Sequence, residues 1–264
     1  MSQVAKSAAS VSDSTLVRRL KSRDVRALAR AITVLENGRG GAPELRTALR
    51  GHARSALVVG ITGAPGVGKS TLISALLSHL RNIEKTIAVV SVDPSSPVSG
   101  GAILGDRLRM DTHADDPGVF IRSVAARGHL GGLSRAVPDI VNAIDAFGFD
   151  IILLETVGTG QSEIEVADIA DVCVVVNCPG LGDEVQAMKS GVLDIADVLV
   201  VNKADQPGAS RTTRALRAML KLRAEDRQAV PVVETVATNG EGVAQLAEAL
   251  LGSDPQFNQG QAGK

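Results

Sequence analysis

Gly63-Ala64-Pro65-Gly66-Val67-Gly68-Lys69-Ser70-Thr71 fits the phosphate-binding pattern of a glycine, four residues, then Gly-Lys-Ser/Thr. The apolar run Ala56-Leu57-Val58-Val59-Gly60-Ile61 before it reads as a buried strand, and Thr71 to Leu77 after it has the apolar spacing of a helix. Strand, loop and helix are the context that the motif needs. Glycines let the backbone bend so that its N–H groups face a polyphosphate, and the helix N-terminus adds the positive end of its dipole. Lys69 is placed to reach the β- and γ-phosphates, and Ser70 offers a hydroxyl to Mg²⁺.

Outward from this loop, short apolar runs alternate with helical segments. The runs are Leu57–Thr62, Ile87–Val92, Val119–Ser123, Ile151–Leu154, Val172–Asn177, Val198–Asn202 and Pro231–Thr235. Runs apolar on both faces and separated by helices predict an α/β fold: a three-layer nucleotide-binding domain with a mostly parallel sheet. Ligands of such sheets sit at the carboxyl ends of the strands. The unusual polar sequences fall there, after residues 62, 92, 154, 177, 202 and 235. Before the first strand, Ser12 or Asp13 is expected to cap one helix carrying Leu16, Leu20, Leu28, Ile32 and Leu35. A second helix is expected from Pro43 to about His52. The predicted organisation is a helical extension over 1–55, a nucleotide-binding domain over 56–252 and an unstructured tail over 253–264.

Composition narrows the function classes. A net charge of −1 gives no basic surface for nucleic acid, and four Phe with no Trp or Tyr argue against base stacking. No stretch is long enough for a membrane span or a signal peptide, so a cytoplasmic protein is expected. Cys173 and Cys178 read as buried, reduced strand thiols. The four histidines pair with no cysteine at zinc spacing.

Asn202-Lys203-Ala204-Asp205 follows a strand and matches the Asn-Lys-x-Asp sequence of guanine-binding proteins. The Asp205 carboxylate can accept from guanine N1–H and from the 2-amino group, neither of which adenine offers there. Charge-assisted bonds of this kind contribute about 1.5–3 kcal/mol each. Lys203 is expected to lie along the base, Asn202 to tie this loop to the phosphate loop, and the Ala237 N–H to reach guanine O6. Glu155 ends a strand beside the phosphate loop and is a candidate Mg²⁺ ligand, directly or through water. Gly158 can donate its N–H to the γ-phosphate. Many GTPases carry a water-orienting Gln directly after that glycine. Here Thr159 and Gly160 intervene before Gln161, so Gln161 takes another path to the water or hydrolysis is slow. Asp93 and Asp106, in the polar segment 93–110, are further Mg²⁺ candidates; Arg107 and Arg109 read equally well as phosphate partners or as surface ion pairs.

Taken together, the chain resembles the MeaB/ArgK family of GTPase chaperones for adenosylcobalamin-dependent acyl-CoA mutases, which includes the methylmalonic aciduria type A protein. The resemblance covers about 15–251. It rests on Val92-Asp93-Pro94-Ser95-Ser96, Gly100-Gly101 with Leu104-Gly105-Asp106-Arg107, Arg127-Gly128-His129-Leu130-Gly131-Gly132-Leu133, Glu155-Thr156-Val157-Gly158 with Gly160-Gln161-Ser162-Glu163, and Gly182-Asp183-Glu184 with Gln186 and Lys189. It implies a fold like that of the nickel-inserting and signal-recognition-particle GTPases, GTP and GDP with Mg²⁺, and a mutase partner. It implies three switches, matching 93–110, 156–166 and 179–189, with Asp183, Gln186 and Lys189 coupling nucleotide to partner. The candidate catalytic residues are therefore Lys69, Glu155, Gln161 and Lys189. Family members continue into an arm that forms a homodimer; this sequence stops at Lys264 without one, which leaves the dimer open. The alternatives are a metal-inserting GTPase, which would want a Cys/His ligand set, and a small-molecule kinase linked to amino-acid transport.

Overall fold

The computed structural model describes residues 15–38, 40–50, 55–93, 113, 115–125, 136–156, 162–180, 191–221 and 229–252. Seven strands form one sheet: β1 (Leu57–Thr62), β2 (Ile87–Asp93), β3 (Val119–Ala125), β4 (Ile151–Glu155), β5 (Val172–Asn177), β6 (Val198–Asn202) and β7 (Val232–Thr235). Their order is β3-β2-β4-β1-β5-β6-β7, and every pairing is parallel. All seven predicted runs are strands. Three continue one or two residues past their expected ends: Asp93 and Glu155 close β2 and β4 beyond the last apolar position, and the buried apolar pair Val124 and Ala125 closes β3. In β2 and β4 the ladder hydrogen bonds outlast the hydropathy.

Strand side chains alternate between two apolar layers. Leu57, Val59, Ile61, Ile87, Val89, Ile151 and Leu153 pack under α4 (Lys69–Asn82) and α8 (Val243–Gly252). Val58, Ala88, Val90, Ile152 and Leu154 pack on the other side, under α2 (Val25–Asn37), α3 (Ala42–Leu49) and α5 (Val137–Phe147). At the far end of the sheet, Leu199 and Val201 pack under α7 (Ala209–Leu220). A short helix, α6 (Ser162–Glu165), precedes β5.

The N-terminal stretch corrects the sequence reading. Instead of one helix there are two, α1 over residues 15–21 and then α2. The chain turns at Arg23, whose φ is 60°, and Asp24 caps α2 by accepting from the N–H groups of Arg26 and Ala27. Arg19, first through its hydrogen bond to Asp24, and then the Ala27 N–H hold that carboxyl below the usual carboxylate range. Arg23 donates to the Gly148 carbonyl at 2.8 Å, which anchors the break on the end of α5. Leu16, Leu20, Leu28, Ile32 and Leu35 are buried all the same, because the turn keeps both apolar stripes on one layer. The second helix starts at Ala42 and ends at Leu49, shorter than expected; Arg50 is already extended. The predicted tail 253–264 lies outside the described residues.

Carboxylates fasten the amino-terminal edge of the sheet. Asp145 accepts from the N–H groups of Ser55 at 2.9 Å and Ala56 at 2.8 Å. Asp150 accepts from Thr86 N–H at 2.7 Å, Asp171 from Val58 N–H at 2.8 Å, and Asp197 from Cys173 N–H at 2.8 Å. Each satisfies a strand-start donor that no ladder partner reaches. Neither cysteine is in a disulfide, and both are buried. Burial first, and then the Asp197 charge, push the Cys173 thiol up to about 12. The folded state therefore keeps this thiol protonated where the unfolded chain ionises it. Stability from this group is complete below the ordinary thiol pKa and falls as pH rises toward about 12. Thermal melts from pH 8 upward should show that decline, and Cys173→Ala should flatten it.

Candidate functional site

The phosphate-type loop leaves β1 after Thr62 and enters α4 at Lys69. Two glycines leave no room for a side chain. At Gly63 (φ 141°) a Cβ would stand 2.2 Å from the Val176 carbonyl oxygen of β5. At Gly68 (φ 94°), which caps α4, it would stand 2.5 Å from Asn202 Nδ2. No side chain caps α4, so its first N–H groups remain directed at the loop. Lys69 Nζ folds back over the loop and donates to the carbonyls of Gly63 at 2.7 Å and Ala64 at 3.2 Å. Lys69 and Ser70 are both buried.

Below the loop, register gathers oxygen ligands. Ser91 of β2 pairs with Glu155 of β4, and Asp93 lies two residues on along the same face of β2. That face carries α4. Ser70 of α4 donates its hydroxyl to Glu155 Oε1 at 2.8 Å, and Ser91 donates to Oε2 at 3.1 Å. Asp93 and Glu155 are buried. The set fits Mg²⁺: all donors are hard oxygens, and 2.8 Å between Ser70 Oγ and Glu155 Oε1 is close to the edge of about 2.9 Å of an octahedron with 2.0–2.1 Å bonds. Sequence reasoning missed Ser91. Its signal was a polar residue inside a run otherwise buried on both faces. It also missed the link between buried Thr62 and Thr156, where the Thr156 hydroxyl donates to that of Thr62 at 3.0 Å. This joins the root of the phosphate loop to the root of the segment after β4.

The third part stands at the end of β6. Asn202 Nδ2 donates to the Val67 carbonyl at 2.9 Å, so the base-type loop is tied to the phosphate-type loop. Asn202 Oδ1 accepts from the Thr235 hydroxyl at 3.1 Å and from Ala237 N–H at 3.2 Å. One side chain thus holds three loops. Lys203 takes a left-handed conformation, φ 57°, and its Nζ donates to the Gly66 carbonyl at 2.8 Å. A non-glycine residue held there costs roughly 1 kcal/mol or more, and such strain gathers at functional sites. Asp205 is exposed in the turn before α7. The Ala237 N–H is engaged by Asn202 and not aimed free at a base, so contact with O6 requires that long bond to be shared or released. Asp106, Gly158, Gln161, Asp183, Gln186 and Lys189 lie outside the described residues.

Residues 28–260 match the model of the family described as methylmalonyl Co-A mutase-associated GTPase MeaB. The chain belongs to the MeaB family. A Pyrococcus horikoshii relative is 47% identical over 239 residues, which is 89% of this chain and 75% of the relative. The fused isobutyryl-CoA mutase of Cupriavidus metallidurans is 40% identical over 244 residues, 87% of this chain but 22% of that much longer protein. Among solved structures, one titled as a LAO/AO transport system kinase superposes with a TM-score of 0.73 at 25% identity, covering 94% of this chain and 79% of its own. The hydrogenase maturation factor HypB of Archaeoglobus fulgidus shares the fold, with a TM-score of 0.56 at 21% identity over 85% of this chain and 98% of its own. This MeaB-family chain is a GTPase with the P-loop fold, and it binds guanine nucleotide. Among the described residues, no helix is long and apolar enough to cross a membrane.

Proposed function

We propose that this GTPase is a nucleotide-operated chaperone that gates adenosylcobalamin delivery to a cytoplasmic acyl-CoA mutase and protects that enzyme. The observation that carries the reading is the relative in which a region like this chain is part of one polypeptide with an isobutyryl-CoA mutase. Fusion keeps a switch beside its client at high effective concentration. The GTPase unit spans 56–252, preceded by the helical extension and followed by the tail.

The residues divide the work. Lys69 exchanges the Gly63 and Ala64 carbonyls for β- and γ-phosphate oxygens, and the loop N–H groups from Gly63 to Thr71 surround the rest of the polyphosphate. Ser70, Asp93, Asp106 and Glu155 would hold Mg²⁺, which would supply positive charge against the phosphates. Gly158 donates to the γ-phosphate, and Gln161 with Lys189 completes the hydrolytic shell. Asp205 selects guanine, Lys203 lies along it, and Asn202 keeps base and phosphate ends in register.

In Ser70→Ala, Glu155 loses one hydroxyl partner and the metal loses one ligand. Hydrolysis should then need about 10- to 100-fold more Mg²⁺ for half-maximal rate. A Mg²⁺ titration of phosphate release checks this. The client is tested by capture from the native host: the protein loaded with a non-hydrolysable GTP analogue should retain an acyl-CoA mutase that the GDP form releases. Phosphate transfer to an amino acid, with no mutase retained, would favour the kinase reading.

A further inference from the structure

Among the described residues, polar side chains of α2 meet the sheet at the end of β3. Glu36, in the last turn of α2, accepts from the Ala125 N–H at 3.2 Å through Oε1. Its Oε2 accepts from Arg122 Nη2 at 3.4 Å, and the same nitrogen donates to the Thr33 hydroxyl at 3.3 Å. The Glu36 side chain is only 10% exposed.

Local preference argues against a carboxylate here. The C-terminal end of a helix repels negative charge, and burial costs solvation. Conflict of this kind between local choice and position calls for a compensating role. Ala125 supplies it. It ends β3, the edge strand, which has a neighbour on one side only. Ala125 is fully buried, so water does not reach an outward N–H there. Ala125 is also paired in register with Asp93, the last residue of β2. Both strand ends stand at the carboxyl edge of the sheet, the edge that carries Ser91 and Glu155.

We propose that Glu36 is a positioning residue for GTP hydrolysis, acting through the Ala125 N–H to fix the end of β3 and, by register, the Asp93 end of β2. This gives the helical extension a catalytic purpose beyond packing. It rests on the reading of Asp93 as part of the Mg²⁺ and phosphate site.

The test compares Glu36→Met, which keeps the stem without an acceptor, with Glu36→Gln, whose amide oxygen still accepts. Phosphate release over a range of GTP gives kcat and KM, and calorimetry gives GDP affinity. Glu36→Met should lower kcat about tenfold, since small misplacements of reacting groups carry losses of this size. KM and GDP affinity should stay within about twofold, and Glu36→Gln should restore most of kcat. A purely packing role would move the melting temperature and leave kcat alone. The inference is overturned if folded Glu36→Met keeps the parental kcat, or if Glu36→Gln loses as much as Glu36→Met. If Glu36→Met does not fold, Glu36→Gln decides: a tenfold loss in it overturns the inference, and parental kcat supports it. Asp93→Asn is measured alongside. If it leaves hydrolysis intact, the reading of Asp93 fails; if it is impaired while Glu36→Met is not, only the positioning role of Glu36 fails.

Discussion

Lys69→Ala should lower GTP hydrolysis by about 10²- to 10³-fold, the usual cost of removing one preorganised donor from developing transition-state charge. The geometry explains why no neighbour substitutes. Lys69 is buried, and its Nζ already spans the Gly63 and Ala64 carbonyls. The lysine is therefore held over the loop before nucleotide arrives, and little reorganisation is needed when phosphate oxygens replace the carbonyls. Alanine removes the charge and leaves the loop without its internal brace, so GTP affinity should fall as well. Single-turnover phosphate release with binding measured separately divides the two effects. Parental hydrolysis in Lys69→Ala would show that the loop does not hold the reacting phosphate.

Asp205→Asn should move base preference from guanine toward xanthine. The carboxylate accepts two hydrogen bonds from guanine, each contributing about 1.5–3 kcal/mol, so the variant should lose about 10²- to 10⁴-fold in GDP affinity. An amide can donate to the second carbonyl of xanthine, so xanthosine diphosphate should bind better than to the parent. Asp205 is exposed at a turn, and its replacement should leave the melting temperature nearly unchanged. Calorimetry with GDP, ADP and xanthosine diphosphate reads the change. Equal ADP and GDP affinity in the unmodified protein would remove Asp205 from its role.

What the sequence revealed and what it hid follow one rule. Interactions local in the chain were legible, and those made by folding were legible only where a motif carries them, as in the tie from Asn202 to the phosphate-type loop. The loop 63–71 sits between a strand and a helix as its pattern requires, and β5 and β6 keep their expected limits because polar residues end both runs. The strand ends at Asp93 and Glu155 were cut short because hydropathy drops where the ladder does not. The break at Arg23 has a local part, the Asp24 cap of α2, and a remote one that the sequence does not show: Gly148, which accepts from the guanidinium, is 125 positions away. Leu20 and Leu28, one on each side of the turn, fit a continuous helix equally well. Strand order is likewise invisible in a list of runs, yet it alone places Glu155 against Ser91 and brings Asp93 beside Ala125. The contact between Glu36 and Ala125 joins residues 89 positions apart, and composition gives no hint of it.

The central claim is that the GTPase serves a B12-dependent mutase. No Gln directly follows Gly158, so the isolated protein should hydrolyse GTP slowly. A partner that completes the hydrolytic shell lowers the barrier, and each ~1.4 kcal/mol of added transition-state stabilisation is tenfold in rate. The direct measurement is phosphate release by the pure protein with and without adenosylcobalamin-dependent acyl-CoA mutases, one at a time. The account predicts a rise of at least about tenfold with the client mutase, blunted in Lys189→Ala more than the basal rate is. A fast basal rate that every such mutase leaves unchanged would contradict it.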